Sequence, residues 1–357
     1  MLWTTKITFS LLLVFVSAGA HAKSSNIDAL NKAVHAYTEA KNLDHKADTF
    51  LHAQTAYRLA RKRYGNAPAE LAIHTHRYAV AAAAYREPIA LRLFEETLGL
   101  LVRVGREGPE LSLALVDAAD EALTRNEPEK AYAWYSKARG ILLENTPNVH
   151  LVRSRVYMGL ARLYMNSNEL DKAKDQAEKS IRALEVKAPN APNRLKANIY
   201  FRYGDIQKAL NNNSAALNVY NQSLQLFEEL DSRERTILTL HNRLVEINHK
   251  LGDTERATVH CVSAQKYEND RNMGIWWPIY DPTGKTTQWG EPKTGQILAG
   301  FTRAANCKVR DIVIHKVAGI SETEAIKILK QVYIPPRLIN GALHADQRVD
   351  QINIDVY

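Results

Sequence analysis

A chain of 357 residues with a formal charge of +8 is too long for one compact core and suits two folded domains plus a leader. Hydrophobic residues make up 45% of it, an ordinary share that excludes a disordered chain. The two cysteines, Cys261 and Cys307, lack the CxxC spacing of a metal or redox site.

Residues 1–22 have the form of a secretory signal peptide. Lys6 supplies the positive start, Ile7 to Val16 the apolar core, and Ala20-His21-Ala22 the small–x–small cleavage site. The alternative is a retained inner-membrane anchor, but the apolar run is about half of the ~20 residues that a spanning helix needs. No cysteine follows Ala18-Gly19, so the lipoprotein signature is missing. The expected product is periplasmic, starts at Lys23, and carries a charge of +7 once Lys6 is removed. That compartment permits a bridge between Cys261 and Cys307, which would staple the end of the helical region to the tail. The alternative is two separate cysteines.

Helical hairpins follow. Asn26 to Lys41 and Asp44 to Tyr64 make the first, ended by Gly65-Asn66-Ala67-Pro68. Ala69 to Tyr85 and Pro88 to Val104 make the second, closed by Gly105 and Gly108-Pro109. The third contains Glu127 to Ala138, in which small Ala131, bulky Tyr135 and small Ala138 fall on one helical face. The pattern recurs as Ala47, Leu51, Gln54; Ala90, Phe94, Thr97; Ala173, Ala177, Ser180; Ala216, Tyr220, Ser223; and Ala257, Cys261, Ala264. The lead alanines at 47, 90, 131, 173, 216 and 257 are 43, 41, 42, 43 and 41 residues apart, a period that signals a solenoid. Twelve residues before each lead alanine from the second onward stand Tyr78, Ala119, Ala161, Gly204 and Val245, where a small residue lets two helices approach. Polar turns such as Asn166-Ser167-Asn168-Glu169 and Asn211-Asn212-Asn213-Ser214 separate the helices of a hairpin. Thr146-Pro147-Asn148 and Ala188 to Asn193 join one hairpin to the next.

Gly204-Asp205, Tyr164 and the Ala–aromatic–Ala second helices make residues 26–270 resemble the tetratricopeptide repeat family, with a period longer than the usual 34 residues. The resemblance implies an α-solenoid whose groove holds a peptide or helix of a protein partner. Tyr157, Tyr164, Tyr200 and Tyr203 lie on first helices and are candidate partner contacts. Arg58, Arg61, Lys62, Arg63, Arg77, Arg86, Arg92, Arg103 and Arg106 concentrate basic charge in the first two hairpins. Such charge suits an acidic protein or lipid phosphates, or is simply a solvated face.

After Tyr267 the composition changes, and three of the five tryptophans fall between 276 and 289. Gly295 to Arg303 alternates as a strand, with Ile297, Ala299 and Phe301 on one face. Lys308 to Lys316 is a second strand, with Val309, Asp311 and Val313 on one face and Ile312 and Ile314 on the other. Apolar residues on both faces predict a central strand. Ser321 and Glu324 form a capping box opening a helix to about Val332, and Pro335-Pro336 stops it. Asn340-Gly341 is a turn, and Ile352, Ile354 and Val356 alternate in a last strand. The tail is thus a small β-β-α-β domain.

The ordered set Thr294 to Thr302, Lys308 to Ile314, the helix, and Asn340-Gly341 before a last strand resembles the C-terminal domain of the energy-transducer TonB family over residues 275–357. The resemblance implies strand addition to a segment of an outer-membrane receptor, with Val349, Ile352, Ile354 and Val356 on the receiving edge. Cys307 stands where the family has Gly, the helix lacks the family's run of alanines, and no Pro/Lys-rich spacer is present. The parts that couple the family to an inner-membrane motor are therefore not expected.

Catalytic patterns are missing. His74 and His76, two apart on a helix, point to different faces. No HExxH, P-loop, nucleotide-binding glycine motif or nucleophile elbow occurs. Gly284-Lys285 lacks the upstream glycine, and Glu95-Glu96 and Glu228-Glu229 are helix surface. The expectation is a non-enzymatic periplasmic adaptor with no cofactor, no small-molecule substrate and no nucleic acid. Its partners would be envelope proteins, with an outer-membrane receptor as one candidate. The alternative is a TonB-type transducer at the inner membrane.

Overall fold

The computed structural model describes residues 19–142, 149–186, 188–230, 235–269, 293–304, 306–331, 337–339, 342–344 and 346–356. The chain forms two compact units, residues 1–141 and 142–357, so the expected boundary near 270 falls inside the second. The first unit holds α1 (Gly19–Asn42), α2 (Lys46–Tyr64), α3 (Pro68–Ala84), α4 (Ala90–Arg103), α5 (Pro109–Thr124) and α6 (Pro128–Ile141). The second holds α7 (His150–Asn166), α8 (Leu170–Glu185), α9 (Asn193–Ala209), α10 (Asn213–Glu229), α11 (Arg235–Lys250) and α12 (Thr254–Asn269). It ends in β1 (Lys293–Arg303), β2 (Val309–Ala318), α13 (Glu322–Gln331), β3 (Arg337–Ile339), β4 (Ala342–His344) and β5 (Asp346–Val356). Among the described residues, no helix is long and apolar enough to cross a membrane. The apolar run Ile7 to Val16, expected to be the core of a signal peptide, and Trp276, Trp277 and Trp289 lie outside the described residues.

Consecutive helices pair as hairpins, and the repeated positions form their seams. Ala90, Ala131, Ala173, Ala216 and Ala257 are all fully buried, as are Ala119 and Ala161 on the facing first helices. Gly204 takes the same place opposite Tyr220, where an added Cβ would come within 2.4 Å of the ring. In the α7–α8 and α9–α10 hairpins the third motif position ties the pair together by its hydroxyl. Ser180 donates to the Ser154 carbonyl at 2.8 Å, and Ser223 donates to the Ala197 carbonyl at 2.7 Å.

Each hairpin reverses through one residue in the left-handed region: Asp44, Arg86, Asn126, Asn168, Asn211 and Gly252, with φ between 55° and 81°. The next residue's N–H then closes the helix end, as in Glu127 to the Ala122 carbonyl at 2.8 Å and Asn212 to the Gln207 carbonyl at 2.9 Å. Asn, Asp and Gly reach this conformation at least cost, which explains the polar turns.

The first hairpin keeps the geometry with a different register. Ala47, Leu51 and Gln54 are exposed, and Thr49, Ala53 and Ala56 hold the buried positions. Its lead position is therefore 49, five residues after Asp44 and 41 before Ala90. The seam here contains an aromatic run instead. Phe50 packs on Tyr78 and Tyr85 at 5.6 and 5.3 Å, and Tyr57 on Tyr78 at 5.4 Å. Those rings bury apolar area that the small-residue pattern does not report.

The tail departs from a plain β-β-α-β order. Its sheet runs β2-β1-β5, all antiparallel, and β3 and β4 form a separate hairpin flanking Asn340-Gly341, which itself lies outside the described residues. Ile297, Ala299 and Phe301 of β1 pack against Ala325, Ile328 and Leu329 of α13. Ser321 and Glu324 cap that helix reciprocally, each backbone N–H meeting the other's side chain at 3.2 Å.

The expectation that β2 is central fails. It is an edge strand, and Val313 is 56% exposed. Its pairing with β1 slips between Gly300 and Thr302, beside Asp311 in the left-handed region, and again between Leu298 and Ala299. Each bulge shifts the alternation by one residue. Val309 therefore shares a face with Ile312, Ile314 and Val317, not with Val313.

The tail is joined to the last hairpin. Cys261 on α12 and Cys307 in the β1–β2 turn form a disulfide, buried with Val245 of α11. Beside it, His249 Nε2 lies 3.1 Å from the Asn306 carbonyl oxygen.

Candidate functional site

In the second unit, the first helices α7, α9 and α11 repeat at intervals of about one period, so residues in matching positions form rows. Arg162, Asp205 and Glu246 make one row, and Arg155, Asn198 and Thr239 another. Arg155 and Arg162 are seven residues apart and share a face of α7. Asp205 and Glu246 are bridged to neighbouring cations across α9 and α11. Arg243 Nε lies 3.3 Å from Asp205 Oδ1, and Lys208 Nζ 2.8 Å from Glu246 Oε2. Lys250 reaches Glu246 at 2.9 Å, Arg202 approaches Asp205 at 3.9 Å, and Tyr220 donates its hydroxyl to Asp205 at 2.7 Å.

This environment fixes the charge states. Burial alone would raise the Glu246 carboxyl, but the charges of Lys208 and Arg243 and the bonds from Lys208 and Lys250 pull it down to about 2. Burial, then the negative charge of Asp205, pushes the Tyr220 hydroxyl well above its ordinary value. The Glu246 carboxyl stays ionised, and both carboxylates of the face are paired with cations. Arg202 and Lys250 remain 41% and 45% exposed, so positive charge reaches solvent.

The four tyrosines expected to contact a partner sit elsewhere around their helices. Tyr200 donates to Glu185 at 2.6 Å and Tyr203 to Glu178 at 3.3 Å, so both pack toward α8 of the preceding hairpin. Tyr164 and Tyr203 flank the core formed by Ala161, Ala173 and Ile206, with the Lys172 ammonium 5.5 Å from the Tyr164 ring centre. Tyr157, half-buried, follows Arg155 by two residues, about 200° round the helix. The structure thus places Tyr164, Tyr200 and Tyr203 against α8 and its core and brings charged side chains to the row of first helices. The i, i+3 pairs Arg202/Asp205 and Arg243/Glu246 are the signal in the sequence that would have pointed to that row.

At the tail, the backbone register locates the other expected residues. Val349 sits opposite Gly300, Ile352 opposite Ile297, Ile354 opposite Gly295 and Val356 opposite Lys293. The β1–β5 ladder runs without a slip from residue 346 to 356, whereas β2 is bulged twice. Among the described residues, no strand pairs with the outer side of β5. An unbroken edge is a template for a further strand, and a bulged one resists it.

Catalytic or metal chemistry finds little to build on. Among the described residues, no group of three His, Cys, Asp or Glu is placed to hold a metal. His241 Nδ1 and His260 Nδ1 lie 3.2 Å apart in the α11–α12 seam, and burial, then the charge of His260, holds His241 down at about 4.

Residues 154–183 and 197–229 match the family model described as "Tetratricopeptide repeat". Hairpins α7–α8 and α9–α10 are tetratricopeptide repeats. No curated protein matches the chain. Solved structures resemble it at low identity, among them the following three. BtubC (BKLC) from P. vanneervenii is 14% identical, with 72% of this chain and 96% of that one covered and a TM-score of 0.45. PilF of Pseudomonas aeruginosa is 13% identical, covering 70% and 99%, with a TM-score of 0.46. Aspartyl phosphate phosphatase F of Bacillus subtilis is 13% identical, covering 74% and 78%, with a TM-score of 0.49. Likeness at this level carries no functional information. The tetratricopeptide repeat is generally a protein-interaction scaffold.

Proposed function

We propose that this protein is a non-enzymatic adaptor of the cell envelope with two holding surfaces. The row of first helices α7, α9 and α11 holds a segment of one protein, and the β5 edge of a TonB-like tail adds a strand from another. The single observation that carries this reading is the pairing of tetratricopeptide hairpins with an open, unslipped sheet edge in one compact unit. The leader pattern supports export to the periplasm, where a partner at the edge would be an outer-membrane receptor segment.

The bridged full-length protein, used as bait on envelope extracts, tests this. An Asn198→Trp variant crowds the helix row, and an Asn353→Lys variant charges the edge against pairing. Each should lose a different partner while the other is retained. Recovery of one unchanged set of proteins by all three baits would refute the two-surface reading. A mature amino terminus at Lys23 in the soluble periplasmic fraction is the expected result for export, and an intact Met1 in the inner membrane would replace it with the transducer reading.

A further inference from the structure

We infer that one edge of the first unit docks on an anionic lipid surface through its helix ends. The inference stands apart from the adaptor reading and adds a third surface. The second helices α2, α4 and α6 all end at this edge, and the first helices α1, α3 and α5 all begin there. The last turns of the second helices carry Arg61, Lys62, Arg63, Arg103 and Arg139. The first turns of the first helices carry only two carboxylates, Glu70 and Glu110. All five cations are exposed. Glu110 is already taken by Arg106 at 2.5 Å. Arg61 and Arg63 lie over the rings of Tyr57 and Tyr64, at 6.0 and 5.3 Å. Among the described residues, no carboxylate pairs with Lys62, Arg103 or Arg139. The opposite edge, where the hairpins turn, is balanced. In the same end turns, Lys41, Lys46, Arg92 and Lys130 are matched by Glu39, Asp48, Glu121 and Glu129.

A cation in the last turn of a helix complements its dipole. That accounts for one such residue per helix, not for three on α2, and α10 of the second unit carries none. The excess is therefore a property of this edge, not of the repeat. Helix ends on an open edge form no groove for a peptide, whereas long cationic stems reach a plane of lipid phosphates. Val102, 55% exposed beside Arg103, adds an apolar contact for the headgroup layer. The chain also enters the fold here. α1 starts at this edge, so the apolar run Ile7 to Val16, the expected leader core, precedes the fold on the side where the cations lie.

Flotation of the bridged protein recovered from cells, with vesicles of two compositions, tests this. One is phosphatidylglycerol and phosphatidylcholine in equal parts, the other phosphatidylcholine alone. The anionic vesicles should bind better and lose the protein steeply with salt. Their binding should weaken about tenfold or more in a Lys62→Gln, Arg103→Gln, Arg139→Gln variant. A Lys41→Gln, Lys46→Gln, Arg92→Gln variant removes the same charge from the opposite edge and should bind as the wild type does. Thermal melting of both variants separates lost binding from lost folding. Equal binding to the two compositions, or to neither, would overturn the proposal. Equal weakening in the two variants would overturn it too, by tracing the attraction to total charge. Tighter binding of soluble polyglutamate than of the anionic vesicles would assign the edge to an acidic protein instead.

Discussion

Gly204 has no room for a side chain. An added Cβ would stand 2.4 and 2.5 Å from two carbons of the buried Tyr220 ring. Gly204→Ala should therefore destabilise the protein by about 1–3 kcal/mol, the usual range for overpacking, in urea unfolding. Burial of titratable side chains gives a second test. His241 is held at about 4 in the fold against 6.5 for an ordinary imidazole. Because the folded value is the lower one, protonation favours the unfolded chain. The stabilisation is complete above pH 6.5 and is lost as the pH falls from 6.5 towards 4. Glu246 has a depressed value of about 2, so its contribution is present above pH 4.5 and is lost between 4.5 and 2. Unfolding free energy should fall between pH 7 and pH 4.5, and His241→Gln should flatten that fall; a pH-independent wild type would contradict the burial of neutral His241. The repeated small residues made Ala131, Ala173 and Gly204 readable from sequence. Asp205 and Arg243, 38 positions apart, meet only after α9 and α11 are stacked, and no local pattern announces them.

The turns were legible as elements because three of the six left-handed positions are Asn and the others include Asp and Gly. Arg86 is the exception, at φ 63°. Replacing it with Gly should stabilise the α3–α4 hairpin by about 1 kcal/mol, because the left-handed region penalises an ordinary side chain. A lower melting temperature for Arg86→Gly would show that Arg86 is retained for a contact rather than tolerated. The same conformational rule explains the misread strand. The alternation in Val309 to Ile314 looks two-sided because Asp311 takes the bulge position, and a bulge changes which face is buried without changing residue type. The first hairpin was read two positions off for a related reason. Its seam is filled by Phe50, Tyr57 and Tyr78 while the middle motif position is the small Ala53, so no small–bulky–small alternation marks the register.

At the scale of the whole molecule, the second unit joins helices and tail through Cys261 and Cys307, which are 46 residues apart. A loop of that length stabilises the fold by about 4 kcal/mol in the chain-entropy estimate. Cys307→Ser should therefore lower the unfolding midpoint, and intact-mass analysis of the wild type should show two hydrogens fewer than the reduced chain. The sequence permitted this bridge, because two cysteines and the expected export to the periplasm allow it, but the approach of the β1–β2 turn to α12 is a tertiary fact. The solenoid class was legible for a different reason: each hairpin repeats its own local rules.

Site-specific photocrosslinking in the native cell tests the adaptor function most directly. A photoreactive residue at position 198 faces the helix row, one at 353 lies on the β5 edge, and one at 255 on α12 serves as control. The expected result is a discrete protein adduct from position 198, a different one from position 353, and neither from 255. Adducts that are absent, or the same from all three positions, would contradict an adaptor built from a helix row and a sheet edge.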